Sequence, residues 1–139
     1  VSAAQPDALA TRLGFKATQI IQEIGWDSDV DEDLRSSVEA ATGTELVDQD
    51  HSDVVDAVLL WWRDEDGDLV DALVDALTDL TDGGFIWLLT PKIGRPGHVD
   101  PGDVAEAAPT AGLASTTSLS ASPDWSATKL VAPRTKTRR

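Results

Sequence analysis

The sequence predicts an α/β domain: a mostly parallel sheet flanked by helices, with a C-terminal antiparallel hairpin. Three observations predict it. Two nearly unbroken apolar runs, "VVDAVLLWWR" at 54–63 and "FIWLLTP" at 85–91, have the length and composition of strands buried on both faces. Between them, Leu69, Leu73, Ala76, Leu77 and Leu80 recur at helical spacing, with the aspartates outside the stripe. Near the end, "LASTTSLSAS" and "SATKLVAP" flank the turn-forming "PDW". Strands that alternate with helices imply parallel pairing through right-handed crossovers, and a terminal hairpin adds antiparallel strands.

The elements follow in order. "TQIIQEIGW" (18–26) is β-branched and stops at Gly25, which reads as the first strand. "DSDVDEDLRSSVEAATG" then offers Asp27, Ser28 and Asp29 as helix caps, with Val30, Leu34, Val38 and Ala41 as the apolar stripe and Gly43 as the stop. "TELVDQD" (44–50) is a short second strand. The long helix after the run at 54–63 is expected to continue to Gly83–Gly84, and "DEDGD" (64–68) is the turn and cap before it. "DPGDVAEAAPTAG" (100–112) has Asp100 as cap and Pro101 at the first helical position, with Pro109 set to break or kink its end. Residues 1–12 read as a flexible N-terminal segment, 13–133 as a single α/β domain and 134–139 as a basic C-terminal tail.

Composition excludes several chemistries. The 139 residues contain no cysteine, which removes disulfides, thiolate metal sites and cysteine nucleophiles. No apolar run approaches the ~20 residues of a membrane-spanning helix. The N-terminal stretch has neither a basic region nor an apolar core of a secretory signal, so a soluble cytoplasmic protein is expected. The net charge of −14 is uneven: residues 1–90 hold 4 Lys/Arg against 21 Asp/Glu, and residues 91–139 hold 7 against 4. So acidic a body disfavours nucleic acid and anionic membrane, and suits either a basic protein partner or plain solubility.

Residues 54–98 bring a resemblance. "DVVDAVLLWWRDEDGDLVDALVDALTDLTDGGFIWLLTPK", "DVAEAAPTAGL", "DWSATKLVAP" and the earlier "GWDSDVDEDLR" resemble the actinobacterial domain-of-unknown-function 3052 family, over roughly residues 13–133. That family supplies no catalytic residue to carry over. A second likeness, in architecture, is to the C-terminal half of Rossmann-like methyltransferases, whose cofactor sits on a Gly-rich turn after the first strand. Here that turn is "EIGWDSDV", with one glycine followed by Trp26, a departure that speaks against S-adenosylmethionine or dinucleotide binding.

In a Rossmann-like sheet, ligands lie beyond the carboxyl ends of the strands. That edge collects Trp26, Asp27, Arg63, Lys92, Arg95 and His98 as candidate ligand-binding residues. Lys92 and Arg95 suit a phosphate or carboxylate; equally, they suit pairing with nearby aspartates. The alternation in "DSDVDED" begins like a calcium loop, but Glu32 and Val38 stand where Gly and Glu are required, and no metal or other cofactor is expected. No Ser elbow is present, and the histidines are His51 and His98 alone, so no catalytic residue is assigned. Trp61, Trp62, Phe85 and Trp87 are expected in the core, whereas Trp26 and Trp125 are candidates for a contact surface. The leading expectation is a non-catalytic binding or regulatory module working through protein contacts. The alternative is a small-anion or nucleotide-binding protein, possibly a diverged methyltransferase-like enzyme, using the loop after the strand at 85–91.

Overall fold

The computed structural model describes residues 13–132. One five-stranded sheet has the order β1-β2-β3-β5-β4. Strands β1 (Ile21–Ile24), β2 (Val55–Trp61) and β3 (Leu80–Pro91) run parallel. The hairpin of β4 (Ala114–Ser120) and β5 (Trp125–Val131) joins antiparallel, with β5 lying directly against β3. Helix α1 (Glu32–Thr42) packs on one face of the sheet. Helices α2 (Leu69–Ala76) and α3 (Pro101–Thr110) pack on the other. This is the α/β, Rossmann-like arrangement that the alternation of runs implies. The segments 1–12 and 134–139 lie outside the described residues.

The period of two along each strand divides the core. Ala57, Leu59 and Trp61 join Phe85, Trp87 and Leu89 under Leu34 and Val38 of α1. Val58, Leu60, Ile86, Leu88 and Leu130 face Leu73 and Ala76 of α2 and Val104 and Ala108 of α3. Each large aliphatic side chain so buried contributes about 1.5–3 kcal/mol relative to exposure. Adjacent Trp61 and Trp62 fall into the two different clusters, as opposite-facing neighbours must. Buried indoles also need an acceptor for their N–H. Trp61 donates to the Glu23 carboxylate (2.9 Å) and Trp87 to the carbonyl of Leu13 (2.7 Å), so the latter ties the first described residues onto the middle of the sheet.

Several boundaries depart from the sequence reading. Asp31, rather than Asp27, Ser28 or Asp29, caps α1, its carboxylate accepting the Leu34 N–H at 2.9 Å. Val30 is buried and anchors the loop just before that cap, which leaves Asp29 outside the helix. The stretch at 44–50 contributes one bridge, Val47 against Gln22, rather than a strand. Helix α2 stops at Ala76, because Leu80 is drawn into β3 opposite Val55 and the Asp79 carbonyl accepts the Val55 N–H. Sheet pairing overrides the helical period there. Gly83 and Gly84 therefore sit in an irregularity of β3, where the register jumps from Val55↔Leu80 to Ala57↔Phe85. A Cβ on Gly84 would lie 2.7 Å from the Asp56 carbonyl, so glycine is required by the bulge and not by a helix end. Pro109 is held within the last turn of α3, which ends one residue later.

The two sheet edges are treated differently. Beside β1, Val47 donates to the Ile21 carbonyl and accepts the Glu23 N–H, so that edge is covered. Strand β4 is the opposite edge, exposed along nearly all its length. No helix among the described residues is long and apolar enough to cross a membrane.

Leu60 is 1% exposed and Val54, just before the same strand, is 61% exposed. Leu60→Ala should lower unfolding free energy by about 2–5 kcal/mol, and Val54→Ala should leave it within about 0.5 kcal/mol. Urea denaturation of the two variants measures the contrast.

Candidate functional site at the carboxyl edge

Beyond the carboxyl ends of β1 and β2 the chain forms a cleft of about 330 Å³, whose lining includes Trp26, Asp27, Gln49, Trp62, Arg63, Asp66 and Asp75. Trp26 stands 54% exposed at its lip, while Trp62 is almost wholly buried. Gln49 reaches the cleft because Val47 is bridged to β1 two residues earlier, and its side-chain oxygen accepts the Gly25 N–H at 3.3 Å. Asp66 lies in a short 3₁₀ turn (Asp64–Asp66) after β2. Asp75 comes from the exposed side of α2.

Arg63 is the buried charge of this edge. Its guanidinium makes a bidentate pair with Asp29, Nε donating to Oδ2 at 3.1 Å and Nη2 to Oδ1. Nη1 donates to the Gly25 carbonyl at 2.6 Å and approaches the carbonyl of Trp61 and the carboxylate of Asp66. The cation also lies over the Trp125 ring, 5.3 Å from its centroid. Trp125 is itself buried, set edge-on against Trp61, and donates its indole N–H to the Asp29 carbonyl. The expected contact-surface role of Trp125 therefore gives way to a core role: β5 is an inner strand, and its first residue lies under Arg63.

The charges follow from these contacts. The hydrogen bond from Arg63 holds the Asp29 carboxyl below its ordinary value, against a smaller opposing effect of burial. Burial works against the Arg63 charge, but Asp29 and then Asp66 more than offset it, so its pKa is raised. A second pair lies beside the first. Arg35 of α1 grips buried Glu23 with two hydrogen bonds of 2.6 and 2.8 Å, and Glu23 also accepts the Trp61 indole N–H. The Glu23 hydrogen bond is the largest cause of the raised pKa of Arg35.

Gly25 has its own explanation. With φ at 83°, it occupies a conformation that side chains rarely adopt, and a Cβ there would lie 2.3 Å from the Trp61 carbonyl. The glycine lets β1 and the end of β2 approach each other, so the protein's own backbone fills the place that would require it.

The six residues singled out from sequence divide into two groups. Trp26, Asp27 and Arg63 line the cleft. The loop 91–98 leads elsewhere: Lys92 Nζ reaches Ser120 Oγ, and Arg95 pairs with Asp124 at 3.5 Å. His98 Nδ1 lies 3.0 Å from the Pro91 carbonyl. Lys92 and Arg95 thus latch the loop to the hairpin turn, and none of Lys92, Arg95 and His98 lines the cleft. Gln49, Trp62, Asp66 and Asp75 were not singled out; Asp75 had a signal in the acidic face of its helix, whereas Gln49 arrives only through the Val47 bridge. No group of three or more His, Asp or Glu side chains among the described residues is placed to hold a metal ion.

With this geometry in place, the class is clear: a small Rossmann-like α/β domain with a five-stranded sheet, whose solved neighbours in fold are methyltransferases. A S-adenosylmethionine-dependent methyltransferase from Aquifex aeolicus superposes with a TM-score of 0.64 at 11% identity, covering 91% of this chain and 88% of that one. The O-methyltransferase NcsB1 of neocarzinostatin biosynthesis, solved with S-adenosylmethionine and a naphthoic acid, gives 0.66 at 14% identity. The chain covers about half of that enzyme (52%), with 90% of its own length matched. At such identities the likeness is one of fold. The chain belongs to the family described as "Protein of unknown function (DUF3052)", matched over residues 10–134. Uncharacterized proteins of Mycobacterium tuberculosis and Mycobacterium bovis are 52% identical to it over 136 residues, 98% of this chain and 85% of theirs.

Asp29→Ala removes the bidentate partner of Arg63 but leaves it Asp66 and the Gly25 carbonyl, and should cost about 1–2 kcal/mol, whereas Asp27→Asn, two residues earlier and exposed, should cost less than about 0.5 kcal/mol. The sign of the pH effect is fixed by the lowered Asp29 pKa. Its contribution is full above the unfolded carboxylate value, about 3.9, and disappears as pH falls through the lower folded value. In urea titrations from pH 7 downward, the gap between the native chain and Asp29→Asn should close below about pH 4.

Proposed function

We propose that this protein is a non-catalytic binding module whose Trp26–Trp62 cleft receives a cationic group presented by a basic segment of a protein partner. The observation that carries this reading is the use of Arg63. Its guanidinium is satisfied inside the protein by Asp29, the Gly25 carbonyl and Asp66, so the remaining charged groups of the cleft are Asp27 and Asp75. Carboxylates beside indole faces favour an ammonium or guanidinium with an apolar stem. An exposed Trp at the lip is the residue type that dominates interface energetics. The acidic body would steer such a partner toward the edge.

A second reading has its own support. The cleft lies between the ends of the first two strands of a fold shared with S-adenosylmethionine-bound enzymes, and a sulfonium nucleoside is also a cation with a flat ring. Gly25 speaks against it, since the close approach it permits is that of Trp61 and not of a ligand. An anionic ligand on Lys92 and Arg95 is favoured less, because both side chains are engaged with the β4–β5 turn.

Tryptophan fluorescence titrated with a Lys/Arg-rich peptide, an acidic peptide and S-adenosylmethionine separates these readings. The basic peptide alone should bind, more weakly with added salt, and Trp26→Ala should cost about tenfold or more in affinity with no loss of thermal stability. Saturable binding of S-adenosylmethionine, with indifference to the basic peptide, would replace the first reading by the second.

A further inference from the structure

A second hollow of about 380 Å³ opens on the opposite side of the loop 91–98, between α3 and the β4–β5 hairpin. It arises because α3 covers Leu130 and Leu113 but the hairpin runs on past it. There the sheet face changes from apolar to hydroxylated. Thr90 lies directly opposite Ser126, and Thr128 directly opposite Ser118. All four line the hollow, together with Ser115. The single side-chain hydrogen bond among these hydroxyls is between Ser118 and Thr128, 3.4 Å apart. Val99, Pro101 and Val104 form part of the apolar lining.

Two features set this hollow apart from a solvated surface of this chain. In a protein with 26% charged residues, no Asp, Glu, Lys or Arg lines it. His98 is drawn into it in a fixed orientation. Because the Pro91 carbonyl can only accept, Nδ1 carries a proton. The hydroxyls therefore offer donors and acceptors of both kinds on a rigid sheet, against an apolar wall, with no carboxylate, ammonium or guanidinium in the lining.

We propose that this hollow is a binding site for an uncharged polyhydroxylated molecule, of the class of a monosaccharide or cyclic polyol. Hydroxyls projecting from one face of neighbouring strands form a grid of ~4.8 Å across and ~6.8 Å along the strands, the scale of a six-membered sugar ring with its substituents. Ser and Thr exchange donor and acceptor roles freely, as sugar hydroxyls do, and the Val/Pro wall matches the C–H side of such a ring. A charged ligand would be desolvated here without a counter-charge, which excludes sugar phosphates. The volume falls within the ordinary range of small-molecule sites, about 300–1,000 Å³. This site is independent of the Trp26–Trp62 cleft.

The test is a solution NMR titration of the ¹⁵N-labelled chain with glucose, myo-inositol and N-acetylglucosamine, and with glucose 6-phosphate as the charged control. Saturable amide shifts confined to Thr90, 115–119, His98 and 126–128 are expected with at least one neutral probe, at a millimolar dissociation constant (about 4 kcal/mol of binding or less). Thr128→Val and Ser126→Ala, both at half-buried positions lining the hollow, should weaken it at least fivefold with an unchanged melting temperature. Shifts absent from these residues with all three probes up to about 100 mM, or located at Trp26 instead, would overturn the proposal. So would tighter binding of glucose 6-phosphate than of glucose.

Discussion

One guanidinium organises the carboxyl edge of this domain's sheet. Arg63 leaves the end of β2 and is held by Asp29 from the loop after β1, by the Gly25 carbonyl, and by the ring of Trp125 at the start of β5. Three segments remote in sequence are thereby fixed by groups that each need the others. A buried cation requires a carboxylate and carbonyls; the Asp29 loop requires an anchor once the helix begins only after Asp31; and Trp125 requires an acceptor, which the Asp29 carbonyl supplies. The Glu23–Arg35 pair repeats the logic beneath it, joining α1 to β1 and satisfying Trp61. Both networks lie at the carboxyl ends of β1 and β2, and both are closed by groups of the chain itself.

The legible part of the sequence was the part written by periodicity. The runs at 54–63 and 85–91 became β2 and β3 because short, nearly unbroken apolar stretches suit strands that are buried on both sides. The hairpin around "PDW" and the cap at Asp100 followed from local turn and helix chemistry. What periodicity could not show was competition between elements. Leu77 and Leu80 fit the stripe of α2 as well as any residue, yet Leu80 pairs with Val55, a contact set by a strand 25 residues away. Likewise Asp27, Ser28 and Asp29 are as good caps as Asp31 by type, and it is the burial of Val30 and the pairing with Arg63 that withdraw Asp29 from that role.

The site was legible to the level of the edge and no further. The strand ends bring Trp26, Asp27 and Arg63 into one cleft, since a parallel sheet presents its carboxyl ends together. The loop cations were placed on the same edge by the same rule, but an edge is wider than a cleft. The hairpin turn, folded in from a separate part of the chain, offers Asp124 and Ser120 to Arg95 and Lys92 before any ligand can. Sequence order carries no information about that distance. The hydroxyl hollow was hidden for a related reason. "STTSLS" reads as an ordinary exposed strand until its partner shows which of its hydroxyls meet Thr128 and Ser126 across the sheet.

The place of β5 also has a bearing on how the molecule comes into being. It is the last strand in sequence among the described residues, yet it lies inside the sheet, between β3 and β4. A ribosome delivers residues in order, so β3 emerges with one flank open, and β4 emerges with nothing to pair with, until Trp125–Val131 follows and slots between them. The Arg63 anchor is likewise incomplete until Trp125 has been made. The fold is thus closed from its interior and late, and a nascent chain stalled before residue 125 holds a bare apolar strand flank of the kind that chaperones protect.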